Sequence, residues 1–437
     1  MNKHLLVLVQ LQHDLTPSLL SSHHRYKYFL GNSRLLSLPK INNSNNINIS
    51  INNNINSNNN YNISIINNYF YRKNCYCSTK KSFGNNENTN NNSNNNDNGI
   101  TTTTTTSSIS AAADNSSLFT KFINNNNNNS NNFNAKQLLD SSRKFLKSST
   151  NNDIKESAIL DSRILIEHVL QLKPNARIPP TLNLTDSQYQ QFSELISRRF
   201  KDEPIAYIVG YRYFWKHQFR CDRSTLIPRP DSETLIDQIV MLREYENFSP
   251  TNILDLGTGT GCLLLSLLNE FPNATGVGVD QSLDALEIAK YNSISIDKQN
   301  SSDNNSSNNI INNRVEFIQS NWLSSLSNNK KYQLIISNPP YISHSDYINL
   351  NPTVKLFEPK TALVADNNGL KDYEIIAKSI VDKDILDRDN GLVVFEIGMN
   401  QENDIIKIME SNGFELKCQG KDLGRIIRCL VFKYKIK

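Results

Sequence analysis

The chain has 437 residues, 38% of them hydrophobic and 20% charged, with a formal net charge of +4 at pH 7. That length allows roughly two or three domains, and the charge is too small to argue for a nucleic-acid partner by itself. No stretch reaches the ~20 apolar residues that cross a bilayer, and the six scattered cysteines show neither a metal-clamp spacing nor a disulfide framework.

Residues 1–40 carry Lys3, Arg25, Lys27, Arg34 and Lys40 against the single acid Asp14. A basic, acid-poor, serine-containing start resembles a mitochondrial transit peptide, so a matrix address is expected, with the cytoplasm as the alternative. Residues 41–134 are dominated by Asn, Ser and Thr, and include the run Thr101 to Thr106. Such text has too little apolar surface to offset chain entropy, and disorder is expected. A similar Asn/Ser-rich insert at residues 300–313 is expected to form a surface loop. The remaining chain, about 300 residues, is ample for a helical module and one α/β domain.

Apolar periodicity predicts helices over residues 135–147 and 153–170. A third spans 187–199, with Thr185 or Asp186 as its cap. These form a helical domain at 135–203. Residues 204–227 are aromatic-rich and strand-like, and a hairpin linker is expected there. Residues 228–437 form the third region. A turn from Pro228 leads into a helix over 234–242 that Asp231 can cap. From Asn252 onward strand and helix alternate. Strands are expected at 253–256, 276–279, 315–318, 333–336, 391–396 and 426–432, and helices at 262–270, 282–292, 372–380 and 403–412. This alternation predicts a largely parallel sheet covered on both faces, with its ligand at the carboxyl ends of the strands.

Two motifs lie at such ends. Gly257-Thr258-Gly259-Thr260-Gly261 joins a strand to a helix, and Asp280 ends the next strand. Glycines allow a tight turn and close backbone approach to a ligand. A carboxylate at Asp280 is placed to accept both hydroxyls of a ribose, its plainer role being a charge at a helix start. The spacing is neither the dinucleotide fingerprint nor a P-loop. Nicotinamide dinucleotide and S-adenosylmethionine are the cofactors left, and the spacing favours the second. Asn321-Trp322, after the third strand, can reach an adenine amine and cover its ring; core packing is the other reading of Trp322.

The second motif is Asn338-Pro339-Pro340-Tyr341, directly after the apolar run 334–336. Two prolines lock φ and push the preceding residue out of helical conformation, so the turn is rigid. It can present the Asn338 side-chain oxygen and the Pro339 carbonyl as paired acceptors for an NH2 group, with Tyr341 offering a flat face. That suits methylation of a planar, weakly nucleophilic nitrogen. A proline-rich surface turn is the commoner meaning of such text, but the strand before it and the glycine turn upstream favour the site.

Together these residues resemble the family of protein-(glutamine-N5) methyltransferases that act on peptide-chain release factors (HemK/PrmC-like). The match extends through Glu203-Pro204-Ile205, Pro228-Arg229-Pro230-Asp231-Ser232-Glu233, Phe357-Glu358-Pro359, Glu396-Ile397-Gly398 and Asp422-Leu423-Gly424-Arg425. The resemblance implies an α/β fold, a seven-stranded S-adenosylmethionine-dependent, Rossmann-like methyltransferase sheet with a small N-terminal helical domain that helps recognise the release factor. It implies that Gly257 to Gly261, Asp280, Asn321, Trp322 and Asn338 hold S-adenosylmethionine. Asn338, Pro339, Pro340 and Tyr341 would hold and activate the glutamine amide of a Gly-Gly-Gln motif, with Arg229 on the substrate surface. The expected partner is a release factor, with no direct nucleic acid, no membrane, no metal, and a monomeric state. Asn321 stands where the family usually has Asp, and Ser232 where it has Thr; both keep the needed oxygen. An adenine-N6 nucleic-acid methyltransferase shares the Asn-Pro-Pro-Tyr turn but needs a basic base-flipping domain. A catalytically silent mitochondrial assembly factor would have no need of both motifs.

Overall fold

The computed structural model describes residues 7–8, 27–30, 34–37, 117–126, 134–302 and 310–435. Most of the expected leader and of the polar tract therefore lies outside the described residues, as do residues 303–309 of the insert. The chain divides into two units, Met1–Cys77 and Ser78–Lys437. The first contains a three-stranded antiparallel arrangement of β1 (Val7–Leu8), β2 (Lys27–Leu30) and β3 (Arg34–Ser37).

The second unit opens with helices α1 (Leu118–Asn126), α2 (Ala135–Lys147), α3 (Asn152–Val169) and α4 (Asp186–Phe200). Thr185 caps α4 through a reciprocal box with Gln188, and Asn134 does the same for α2 with Gln137. The helices share one apolar core of Phe119, Leu138, Phe145, Leu146, Ile154, Leu165, Phe192 and Ile196. Helix α1 corrects one expectation, because it lies inside the stretch read as disordered. Phe119 and Ile123 on one face are buried, enough to dock a single helix whose last residues already belong to an Asn run. The Phe119 ring sits 5.4 Å from Phe145 and 6.1 Å from Phe192, and its N–H donates to Ser197 Oγ at 3.0 Å. Phe119→Ala should therefore destabilise the helical module by on the order of 3 kcal/mol. A chain starting at Ala135 should melt lower than one starting at Ser116. Equal melting temperatures by circular dichroism would show α1 to be dispensable.

Residues 204–210 are not strand-like as expected. Ile205–Val209 forms one helical turn, α5, entered from Pro204 and closed by Gly210 in the left-handed conformation at φ 85°. Burial of Ala206, Tyr207, Ile208 and Val209 overrides the strand preference of this short β-branched and aromatic text. The hairpin proper is β4 (Tyr211–Phe214) with β5 (His217–Arg220).

The sheet that carries the site has seven strands. In chain order they are β6 (Asn252–Leu256), β7 (Thr275–Asp280), β8 (Val315–Gln319), β9 (Leu334–Ser337), β10 (Leu392–Glu396), β11 (Phe414–Lys421) and β12 (Ile427–Tyr434). The spatial order is β11-β12-β10-β9-β6-β7-β8, and all neighbours are parallel except those of β12. Edge strand β11 was not among the expected strands; its bulged register and polar alternate positions weaken the apolar signal. Successive residues of the central strands face opposite layers. Leu334 and Ile336 pack under α6 (Glu233–Glu246) and α7 (Cys262–Glu270), while Ile335 and Phe395 pack on α11 (Lys371–Asp382) and α12 (Glu402–Ser411). Between these pairs in the chain lie α8 (Leu283–Ser302) and two short helices, α9 (His344–Ile348) and α10 (Pro352–Lys355). Helix α8 runs ten residues beyond its expected end at 292, into the insert. Asp297 on α8 accepts the N–H groups of Ile311 and Asn312 at 2.8 and 3.0 Å, so both flanks of the insert are structured rather than loop. Because β9 and β6 are neighbours, their carboxyl ends place the Asn-Pro-Pro-Tyr turn directly beside the glycine turn.

Candidate active site

The glycine turn is held in shape by its surroundings. The N–H groups of Gly257 and Thr258 both donate to the Val279 carbonyl, at 2.9 and 2.8 Å, and Thr258 Oγ1 donates to Asp255 Oδ2 at 2.8 Å. Gly257 has φ 71°, and a Cβ there would meet the Trp322 ring at 3.4 Å, so glycine serves both conformation and clearance. Gly261 does a different job from the one expected. A Cβ on it would meet Leu265 at 3.0 Å and Ala289 at 3.4 Å, so it lets α7 approach α8 and does not line the cleft.

Asp280 closes β7 with its Oδ2 accepting the Gly259 N–H at 2.9 Å and its Oδ1 accepting the Ser282 N–H at 3.0 Å. It is thus also the helix-start charge that was the plainer reading. A carboxylate has about four lone-pair sites, so capacity remains for a diol. Burial raises its pKa, against the backbone N–H groups. Burial pushes the neighbouring Asp255 carboxyl up to about 7, with the Thr258 bond opposing. Trp322 sits at φ 49°, uncommon for a bulky residue, and donates its Nε1–H to Asp372 Oδ1 at 3.1 Å. Its ring packs against the core layer and also lines the cleft. Asn321 is exposed on the same wall.

A cleft of about 360 Å³ opens between these elements. Gly257, Thr258, Gly259, Thr260, Asp280, Asn321, Trp322, Asn338, Pro340 and Arg229 all line it, so residues spread over more than a hundred positions meet in one place. Asn338 follows β9, and its Nδ2 donates to Ser232 Oγ at 3.4 Å. Its Oδ1 accepts no hydrogen bond from the described residues, and neither does the carbonyl of Pro339, a buried residue that does not itself line the cleft. Tyr341 does not line the cleft. Its ring packs into the core layer beneath the turn, and its hydroxyl donates toward Glu396 Oε1 at 3.5 Å. Burial and the Glu396 charge push the Tyr341 phenol above its usual range. The flat face expected from Tyr341 therefore supports the turn from below.

Arg229 departs from expectation as well. Its Nη2 donates to Glu358 Oε1 at 2.5 Å, and Glu358 Oε2 accepts the Ile227 N–H at 3.1 Å. The Glu358 side chain is 1% exposed while Arg229 is 33% exposed and lines the cleft, so Arg229 is a cation anchored from within on the cleft wall. Asp231 does not cap α6. It lies in a 3-10 turn at Pro230–Ser232, 3.7 Å from Arg428, and α6 starts without a side-chain cap. Three residues therefore matter more than their sequence signals: Ser232 behind Asn338, Glu358 under Arg229, and Glu396 beneath Tyr341. Their text gives no spacing cue, since each acts through a partner far away in the chain.

S-adenosylmethionine fits these residues. The left-handed glycine turn gives close backbone approach, Asp280 keeps acceptor capacity for a ribose, and Asn321 and Trp322 place a polar side chain and an aromatic ring on one cleft wall. Asn338, whose Oδ1 has no partner among the described residues, lines the same space. What the arrangement can do chemically is hold a planar NH2 group by two acceptors beside a bound cofactor.

Residues 137–210 match the PrmC N-terminal domain, and residues 232–363 match the methyltransferase small domain. The chain is 36% identical to a release factor glutamine methyltransferase of Aliivibrio fischeri, over 59% of this chain and 84% of that one. It is 35% identical to a release factor glutamine methyltransferase of Agrobacterium fabrum, over 63% and 90%. A bifunctional methyltransferase of Rickettsia typhi is 37% identical over 60% of this chain. The chain spans about half the length of that relative, 51%.

Proposed function

The chain belongs to the release factor glutamine methyltransferase family, and on that premise we propose that it methylates the side-chain amide nitrogen of the glutamine in the Gly-Gly-Gln motif of a peptide-chain release factor. The observation that carries this reading is the partnerless acceptor Asn338 Oδ1, on a proline-locked turn that lines one cleft with the glycine turn and Asp280; the Pro339 carbonyl, also without a partner among the described residues, is the next acceptor along that turn.

A carboxamide nitrogen is a poor nucleophile because its lone pair is delocalised into the carbonyl. Accepting both its N–H bonds at Asn338 and Pro339 fixes the amide plane and stabilises the positive charge that develops on nitrogen. When bound, S-adenosylmethionine supplies an electrophilic methyl whose C–S electron pair stays on sulfur, leaving neutral S-adenosylhomocysteine. The Arg229–Glu358 clasp and the Trp322–Asp372 bond hold the cleft walls in place. No residue need act as a strong base, since the N-methylated amide sheds its extra proton to water. Incubation with labelled S-adenosylmethionine and candidate release factors, with mass-spectrometric mapping, should place one methyl on that glutamine. Label on nucleic acid instead, or on no release factor, would defeat the reading.

The proposal extends to a monomer working in the mitochondrial matrix. The basic, acid-poor start of the chain supports the address. Residues 1–40 fused to a fluorescent protein should enter mitochondria, and cytosolic fluorescence would remove the address without touching the chemistry.

A further inference from the structure

Glu396 ends β10, next to the strand that delivers Asn338, and is 2% exposed. Its Oε1 is 3.5 Å from the Tyr341 hydroxyl, and its Oε2 has no hydrogen-bond partner among the described residues. Arg428, the cation nearest to neutralising it, is drawn aside by Asp422 at 3.3 Å and Asp231 at 3.7 Å. The other groups facing it are Arg229 and Asp231 before α6, Ser232, the thiols of Cys429 opposite it on β12 and of Cys262 on α7, and the Tyr373 hydroxyl, which donates to the Glu396 backbone carbonyl at 2.7 Å. A buried carboxyl without a direct ion pair costs stability, so the fold alone gives no reason to keep one there.

Its neighbours supply a reason. Ser232 is buried, and its oxygen accepts the Asn338 Nδ2–H. A hydroxyl has a single proton to give, and with its oxygen accepting from Asn338 that proton is left for the Glu396 carboxylate, which Ser232 stabilises. We propose that Glu396 is a positioning residue for methyl transfer: its carboxylate accepts hydrogen bonds from the Ser232 and Tyr341 hydroxyls and thereby holds the Asn338 amide with Oδ1 toward the cleft. The inference rests on the function proposed above. Glu396 touches neither cofactor nor substrate and works through Ser232 and Tyr341. In its neutral form it offers a competing donor, which frees Ser232 to rotate and Asn338 to flip. Burial pushes this carboxyl up to about 7, with Ser232 and Arg428 opposing, so the working form is lost as pH falls through neutrality.

The test is the pH profile of kcat/KM toward a release factor, from pH 5.5 to 9, for wild type, Glu396→Gln, Ser232→Ala and Ser232→Thr. Wild type should show an acid limb with its midpoint near 7. Glu396→Gln should lack that limb and run about tenfold slower at pH 8.5, with its affinity for S-adenosylhomocysteine within twofold of wild type. Ser232→Ala should behave likewise, and Ser232→Thr should restore the wild-type profile. A raised folded-state pKa means that wild type loses stability as pH rises from the ordinary glutamate range through 7. Glu396→Gln should accordingly melt above wild type at pH 8. A Glu396→Gln enzyme that keeps the acid limb, or that melts below wild type at pH 8, would overturn the inference. Failure of wild type to methylate any release factor would instead overturn the function on which it rests.

Discussion

Asn338→Ala should lower kcat by about 10²- to 10³-fold, the usual loss when one preorganised polar group is removed from a site that stabilises developing charge. The substitution takes away Oδ1, the side-chain half of an acceptor pair whose other member, the Pro339 carbonyl, cannot adjust because two prolines fix the turn. The amide plane is then held at one point and can rotate about it. The fold should be nearly untouched. Asn338 is only half-buried, and its single side-chain bond, to Ser232 at 3.4 Å, is long. Affinity for S-adenosylhomocysteine should drop far less than kcat, although Asn338 also lines the cofactor cleft. Single-turnover rates with excess enzyme separate the two effects. Near-normal turnover by Asn338→Ala would show that the turn does not position the reacting amide.

The core of the sheet could be read in advance because burial of a parallel sheet leaves a local trace. Strands such as Leu334–Ser337 and Leu392–Glu396 are buried along their whole length, and up to their polar last residues they run as unbroken apolar text. The glycine turn and the Asn-Pro-Pro-Tyr turn could be read for a related reason: glycine opens the left-handed backbone region and proline locks φ, so residue type alone points to the conformation. What stayed hidden is what depends on partners. Arg229 reads as a free cation until Glu358, 129 positions later, folds beneath it. Ser232 reads as a mild substitution until it is found touching Asn338, 106 positions away. Helix α1 was masked by the asparagines around it, since two buried side chains, Phe119 and Ile123, give too short a periodic signal. Residues 205–209 hold a single turn, less than the length over which a 3.6-residue period can be told from alternation. In each case the sequence lacked long-range packing information rather than local propensity.

Asp280→Ala should weaken cofactor binding more than it slows saturated turnover. The side chain works in two directions at once. Inward, its two oxygens accept the N–H groups of Gly259 and Ser282 and so hold the glycine turn against the start of the next helix. Outward, its remaining lone pairs face the cleft, where a ribose diol can donate to them. Removing the carboxylate forfeits a charge-assisted hydrogen bond of about 1.5–3 kcal/mol, or roughly ten- to a hundredfold in affinity. Loosening of the Gly259 end of the turn acts in the same direction. Once cofactor saturates, the acceptors at Asn338 and Pro339 are unchanged, so kcat should recover most of its wild-type value. The pH dependence follows from the raised pKa of the group. Protonation leaves fewer acceptors for the diol, so wild-type affinity should begin to fall at a higher pH than an ordinary aspartate would dictate, and Asp280→Ala should lose that dependence. Titration calorimetry with S-adenosylhomocysteine measures both effects. A dissociation constant unchanged in Asp280→Ala would exclude this carboxylate as the ribose ligand and leave Asp280 a purely structural anchor of the glycine turn.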